Sequence, residues 1–273
     1  MSAEVAPTSS AAAFTAARAQ QRAALVAYLP AGYPSVDQGI DAITALVDAG
    51  VDVVEVGLPY SDPSMDGPVI QRAVDVALRG GVRTADVLRT VEAVARTGTP
   101  TVVMSYWNPI LRYGPQAFAR DLAAAGGAGA ITPDLVPDED PVWIEAARAH
   151  DLDTVFLVAP SSSDERLRLT AQACRGFVYV SSTMGVTGSR AEVGAAAAAL
   201  VERTRKVTDL AAAVGLGVSS GSQAAEIARF ADGVIVGSAF VQRMLDANDP
   251  TSGRRDAAEL ASELAAGVRS ARS

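Results

Sequence analysis

Short apolar runs alternate along this chain with longer segments in which apolar residues recur three and four positions apart. The short runs read as strands over 24–28, 51–56, 100–105, 129–132, 154–159, 176–181, 213–217 and 233–236. The longer ones predict helices over 36–48, 69–78, 115–125, 141–150, 164–173, 191–207 and 222–230. Capping residues mark several starts, such as Ser35 before 36–48 and Ser163 ahead of 164–173. The strand runs are continuously apolar rather than alternating, as a parallel sheet covered on both faces requires.

Eight strand–helix units in 273 residues predict an α/β fold, a single (β/α)8 TIM barrel. Extra helices are expected at the N-terminus (11–21), after unit two (84–96) and at the C-terminus (255–268). An open, doubly wound sheet is the rival architecture, and the count of eight units favours the barrel. No domain-sized linker interrupts the pattern, so 1–273 reads as one domain, with 1–10 a flexible extension and 249–254 a local turn.

The second strand breaks its own apolar pattern. Along it Val51, Val53, Glu55 and Gly57 share one face, and Asp52 at its entrance can reach solvent. Glu55 stands deep in the run, where a carboxylate is costly unless paired, protonated or used. The loop after it carries Asp62 and Asp66 back towards the strand's end. Each acid has a purely structural alternative: Glu55 as a buried hydrogen-bond partner, Asp66 as a turn residue before glycine, Asp62 bound to backbone near Pro63.

Composition narrows the chemistry. No apolar run reaches the roughly 18 residues that would span a bilayer. Glu4 stands where a signal peptide would begin basic, and the single cysteine, Cys174, fits a reducing compartment. A cytoplasmic protein without a membrane partner is expected. The net charge of -8, with no basic stripe, argues against nucleic acid. Lys206 is the only lysine and His150 the only histidine, one ending a helix in a charged stretch and the other closing a helix before strand five. Lysine imines and histidine metal clusters therefore have almost nothing to work with. Cys174, late in a helix, reads as packing.

In a barrel, the loops after the strands form the active face. Gly188, Gly217 and the Gly237–Ser238 pair fall in the last three such loops, the last ahead of an apolar helical run. Together they read as a phosphate cradle of backbone amides and a hydroxyl, although each glycine alone could simply make a turn. Tyr28, Tyr106, Trp107 and Tyr179 supply an aromatic lining. A ring-bearing sugar phosphate and acid–base catalysis by carboxylates, with tyrosine hydroxyls assisting, remain after elimination.

The stretch from Glu55 through Ser61-Asp62-Pro63 and Asp66-Gly67-Pro68 to Ile70-Gln71 resembles the signature of the tryptophan synthase alpha chain family. Similar motifs follow in order at 28–34, 106–109, 133–137, 184–188, 216–219 and 236–238, covering nearly the whole chain. Ser64-Met65 departs from the Leu-Ala usual there. The resemblance implies retro-aldol cleavage of indole-3-glycerol phosphate to indole and glyceraldehyde 3-phosphate. It implies Glu55 as the acid–base group and Asp66 as partner of the indole nitrogen. Tyr28, Tyr106, Asp134 and Tyr179 become expected substrate contacts, with Gly188, Gly217, Gly237 and Ser238 at the phosphate. It also implies no metal or organic cofactor in this chain, and a partner beta chain that carries pyridoxal phosphate in an α2β2 complex and receives indole through a tunnel. Loops 60–69 and 183–192 would act as lids. A free-standing lyase, a phosphosugar epimerase or isomerase, and a non-catalytic barrel subunit are the other readings.

Overall fold

The structure, a computed structural model, describes residues 9–138, 141–181 and 190–271. Nine strands lie within them: β1 (Ala24–Pro30), β2 (Val53–Gly57), β3 (Thr101–Met104), β4 (Gly129–Ile131), β5 (Asp153–Val155), β6 (Leu157–Val158), β7 (Phe177–Ser181), β8 (Ala211–Gly215) and β9 (Gly233–Val236). The helices are α1 (Ser10–Ala19), α2 (Val36–Asp48), α3 (Pro68–Arg79), α4 (Thr84–Ala95), α5 (Trp107–Tyr113), α6 (Pro115–Ala124), α7 (Val142–Ala149), α8 (Asp164–Ala173), α9 (Arg190–Arg205), α10 (Gly221–Ala228), α11 (Ser238–Asp246) and α12 (Pro250–Ser270). None is long and apolar enough to cross a membrane.

Every strand pairing is parallel, in the order β5-β4-β3-β2-β1-β9-β8-β7-β6. The two ends of that order, β5 and β6, are separated in the chain only by Phe156. They are one stave that changes partner partway: Val155 pairs with Ile131 of β4, and Leu157 with Tyr179 of β7. The sheet therefore closes on itself with eight staves, and the TIM barrel expected from the pattern is the fold.

Alternation along each strand sorts the apolar side chains into two groups. Val26, Val53, Val102, Val155, Phe177, Ala213 and Ile235 fill the interior. A larger group, including Val54, Val56, Val103, Val178 and Val214, packs outward against the helices. Helix α1 plugs the end of the barrel where the strands begin, placing Phe14 against Phe177 with ring centroids 5.0 Å apart. Buried Asp153 holds that plug, accepting hydrogen bonds from the Ser10 amide (2.9 Å) and hydroxyl (2.6 Å). Ser9 and Ser10 are thus fixed rather than part of a flexible extension; residues 1–8 lie outside the described set.

Three expectations need correcting. The seventh unit's strand runs over 211–215 rather than 213–217, because Ala211 pairs with Phe177 and the Ala212 amide donates to Asp232. Segment 249–254 is not a turn but the start of α12. Asp249 caps it by accepting from the Thr251 and Ser252 amides, and Pro250 occupies its first turn, where no amide is needed. Residues Trp107–Tyr113, absent from the expected helices, form helix α5 after β3.

Candidate active site

The interior positions next above the apolar layer change character. Beyond Val26 comes Tyr28, beyond Val53 Glu55, beyond Val102 Met104, beyond Phe177 Tyr179, and beyond Ala213 Gly215. These residues, with Leu157 and Ile235, floor a cavity of about 220 Å³. The loop after β2 roofs one side with Met65, Asp66 and Ile70, and Gly217, Gly237 and Ser238 close the other.

Glu55 is 1 % exposed, pairs in register with Tyr28 on one side and Val102 on the other, and its Oε2 makes no hydrogen bond. Burial first, and then the charge of Asp66, push its carboxyl up to about 8. A carboxyl in this state is largely protonated at neutral pH yet can still ionise, which suits giving and taking one proton.

Asp66 is half-buried, and burial raises its pKa while the nearby Tyr106 hydroxyl pulls it down. Two hydrogen bonds flank it in the loop. The Met65 amide donates to the Tyr106 hydroxyl oxygen (2.9 Å), and Gln71 Nε2 donates to the Asp66 carbonyl (2.7 Å). The Tyr106 oxygen is occupied as an acceptor, which leaves its proton for the Asp66 carboxylate. Tyr28 and Tyr179 are held neutral, mainly by burial; Asp66 and then Glu55 add to the effect on Tyr28, and Glu55 adds to it on Tyr179.

At the opposite end, Gly237 precedes α11, whose first amides have no carbonyl of their own helix to bond. Such a terminus favours an anion. Gly217 turns the chain after β8 at φ +57, a conformation costly for a residue with a side chain.

Of the residues singled out in the sequence, Glu55, Asp66, Tyr28, Tyr179, Gly217, Gly237 and Ser238 line this one cavity. Gly188 lies outside the described residues, as does most of the 183–192 loop. Tyr106 stands behind the loop rather than on the cavity wall. Asp134 accepts from the Trp107 amide at 2.8 Å and so caps α5 instead of facing the cavity. Asp62 accepts from the Ser61 hydroxyl, not from backbone near Pro63. Met104, Leu157, Gly215 and Ile235 escaped the sequence reading, although counting two residues on from each buried interior position would have reached them.

The residues set aside are accounted for elsewhere. Lys206 is exposed and faces Glu202 at 3.5 Å. His150 caps the end of α7. Cys174 is buried with its thiol pushed up to about 12, chiefly by burial. Among the described residues no group of three or more His, Cys, Asp or Glu could hold a metal. A larger groove, about 420 Å³, lies outside the β2 loop between Tyr60, Arg83, Asn108 and Arg112, but it has no acid in its lining. The chemistry goes with the smaller cavity.

A family model described as tryptophan synthase alpha chain matches residues 14–269. The tryptophan synthase alpha chain of Salinispora tropica is 61% identical over 257 residues, 94% of this chain and 96% of the relative. That of Streptomyces avermitilis is 62% identical over 255 residues, 93% of this chain and 92% of the relative. Among solved structures, ligand-free tryptophan synthase from M. tuberculosis, in a variant form, is similar with a TM-score of 0.88 at 54% identity, covering 96% of this chain and 100% of that one. Tryptophan synthase subunit alpha from Legionella pneumophila gives 0.86 at 31% identity, covering 96% and 98%.

Proposed function

Because this chain belongs to the tryptophan synthase alpha chain family, the carbon–carbon lyases that cleave indole-3-glycerol phosphate in tryptophan biosynthesis, we propose that Glu55 and Asp66 carry that reaction here. The observation behind the reading is Glu55: a buried carboxyl with an unbonded oxygen, on the wall of a cavity whose far end is a helix N-terminus.

The reaction moves one proton. The ring carbon bearing the side chain gains a proton, which leaves positive charge on the indole nitrogen. The adjacent side-chain hydroxyl loses a proton, the bond between ring and side chain breaks, and its electron pair returns to the ring as the aldehyde forms. Glu55 delivers the first proton and recovers the second, ending as it began. Asp66 accepts from the indole N–H and grows more favourable as charge develops there. Tyr106 and Gln71 set its position from behind. The phosphate lies against Gly217, Gly237 and Ser238, with Gly188 completing the cradle, while Met104, Leu157 and Ile235 surround the ring. Burial of Glu55 strengthens its interactions, since little water competes there.

The same reading makes 1–273 a single working barrel in the cytoplasm. It gives the chain a beta-chain partner in an α2β2 complex, with pyridoxal phosphate on that partner, indole passing between them and loops 60–69 and 183–192 as lids. The test is indole release from indole-3-glycerol phosphate, with and without a beta chain, by the wild type, Glu55→Gln and Asp66→Asn. We expect cleavage by the wild type, a large gain on adding the beta chain, and losses of at least about a hundredfold in both variants. Full activity in Glu55→Gln, or none in the wild type even with a partner, sinks the assignment. Undiminished activity without a beta chain would make the protein a free-standing lyase.

A further inference from the structure

Two tyrosines stand in the upper layer of the barrel, each with its hydroxyl set against a glycine on the next strand. A Cβ at Gly57 would fall 2.5 Å from the Tyr28 hydroxyl oxygen, and one at Gly215 would fall 2.6 Å from that of Tyr179. Tyr28 is confined on its other flank too, since a Cβ at Gly237 would lie 3.0 Å from its Cδ1. The phenol therefore stretches across the end of β1, its ring against β9 and its hydroxyl over β2. That strand carries Glu55, which faces Tyr28 in register, and runs on into the loop of Asp66.

The hydroxyl has no hydrogen-bond partner among the described residues, and Tyr28 lines the cavity. A phenylalanine would pack the same ring without placing a polar atom beside apolar walls. Gly57 makes room for the whole outer edge of the ring, since a Cβ there would also fall 2.6 Å from Cε2 and 2.7 Å from Cζ, and the hydroxyl is the one part of the side chain that packing alone does not call for. Burial and the two neighbouring acids keep the phenol neutral, and it can donate as well as accept.

We propose that Tyr28 is a substrate-positioning residue whose hydroxyl hydrogen-bonds a hydroxyl of the three-carbon side chain, beside the bond that breaks. The proposal rests on the reading of Glu55 and Asp66 given above. It adds a contact that selects a hydroxylated chain over a plain alkyl phosphate. Two ligands separate the hydroxyl from the ring: indole-3-glycerol phosphate, and an indole-3-alkyl phosphate of the same length lacking both side-chain hydroxyls.

Both are titrated by calorimetry into Glu55→Gln enzyme, whose turnover should be at least about a hundredfold slower, and into Glu55→Gln/Tyr28→Phe. Turnover of wild type and Tyr28→Phe is measured alongside, and circular dichroism checks the fold. The expected result is a loss of about three- to tenfold in affinity for the hydroxylated ligand, as for one neutral hydrogen bond, with the plain ligand within about twofold. Turnover by Tyr28→Phe should fall in kcat/KM by at least the same factor. Equal losses on both ligands would make Tyr28 a packing residue, and no loss on either would leave its hydroxyl without a role; each overturns the proposal. Failure of the lyase reading shows up separately, as absent cleavage by wild type, and leaves the comparison of the two ligands intact.

Discussion

Replacing Glu55 with Gln should stabilise the protein increasingly as pH rises, while abolishing its activity. The folded carboxyl sits at about 8 against an ordinary 4.5. Between those values the unfolded chain releases this proton and the folded chain keeps it. The unfolded state is then favoured by about 1.4 kcal/mol for each pH unit. The penalty is absent below pH 4.5, grows across the window and levels off above 8, amounting to about 3 kcal/mol between pH 5 and pH 8. Glu55 is 1 % exposed, so solvent screening takes little from this figure. Glutamine occupies nearly the same volume and cannot ionise. Its amide will also lack partners, at a cost that does not vary with pH. The informative quantity is therefore the change with pH of the stability difference between variant and wild type. Urea unfolding at pH 5, 6, 7 and 8, followed by circular dichroism, gives it by linear extrapolation. Asp66 is present in both proteins, so its own titration largely cancels. A difference that stays flat within about 1 kcal/mol, or that moves against the variant as pH rises, would refute the claim that Glu55 is held protonated by burial.

Removing the Tyr106 hydroxyl in Tyr106→Phe takes away the group that lowers the pKa of Asp66 and leaves burial to raise it further. Asp66 must be ionised to receive the indole N–H, so the acidic limb of the kcat/KM profile should move to higher pH; an unmoved limb means that Tyr106 does not govern Asp66. Asp52→Ala should destabilise the protein by about 3 kcal/mol while leaving turnover unchanged at permissive temperature. It strands the Arg22 guanidinium, paired at 2.7 Å and largely enclosed, and the Leu25 amide that also donates to Asp52. Melting curves and steady-state kinetics check both halves.

How much could be read in advance depended on whether a residue's place followed from its own neighbourhood. Glu55 was legible because one acid in a run of valines violates the local pattern, and the period of two settles which way it points. The β8 register was not, because Ala211-Ala212-Ala213 offers no alternation, and only pairing with β7 and the hydrogen bond to Asp232 fix it. Helix α5 has seven residues, too few for a period to show, and Pro109 lies in its first turn, where proline is tolerated. Asp134, which the family resemblance implies as a substrate contact, accepts from the Trp107 amide of the preceding unit, and no pattern within one unit reveals that bond. The split of stave five at Phe156 has no signal that we can identify.

The two acids are held by different means, and this bears on their chemistry. Glu55 is clamped between paired strands on both sides, so moving its carboxyl would require breaking sheet hydrogen bonds. Proton transfer demands reacting atoms within hydrogen-bond reach, and a misplacement of about an ångström costs orders of magnitude in rate. On the assignment proposed above, the rigid stave is therefore the right carrier for the group that moves protons. Asp66 hangs on a loop held by two hydrogen bonds, one from the Met65 amide to the Tyr106 hydroxyl and one from Gln71 to the Asp66 carbonyl, and each is worth only about 1 kcal/mol net. Its proposed task is electrostatic and would tolerate a softer mounting, since attraction to a developing charge weakens only gradually with distance. If loop 60–69 acts as the lid proposed above, the same softer mounting would let it move aside for the indole ring, which a second strand-borne acid could not do. Fixing Asp66 as firmly as Glu55 would then preserve the charge arrangement but close the route by which the ring enters.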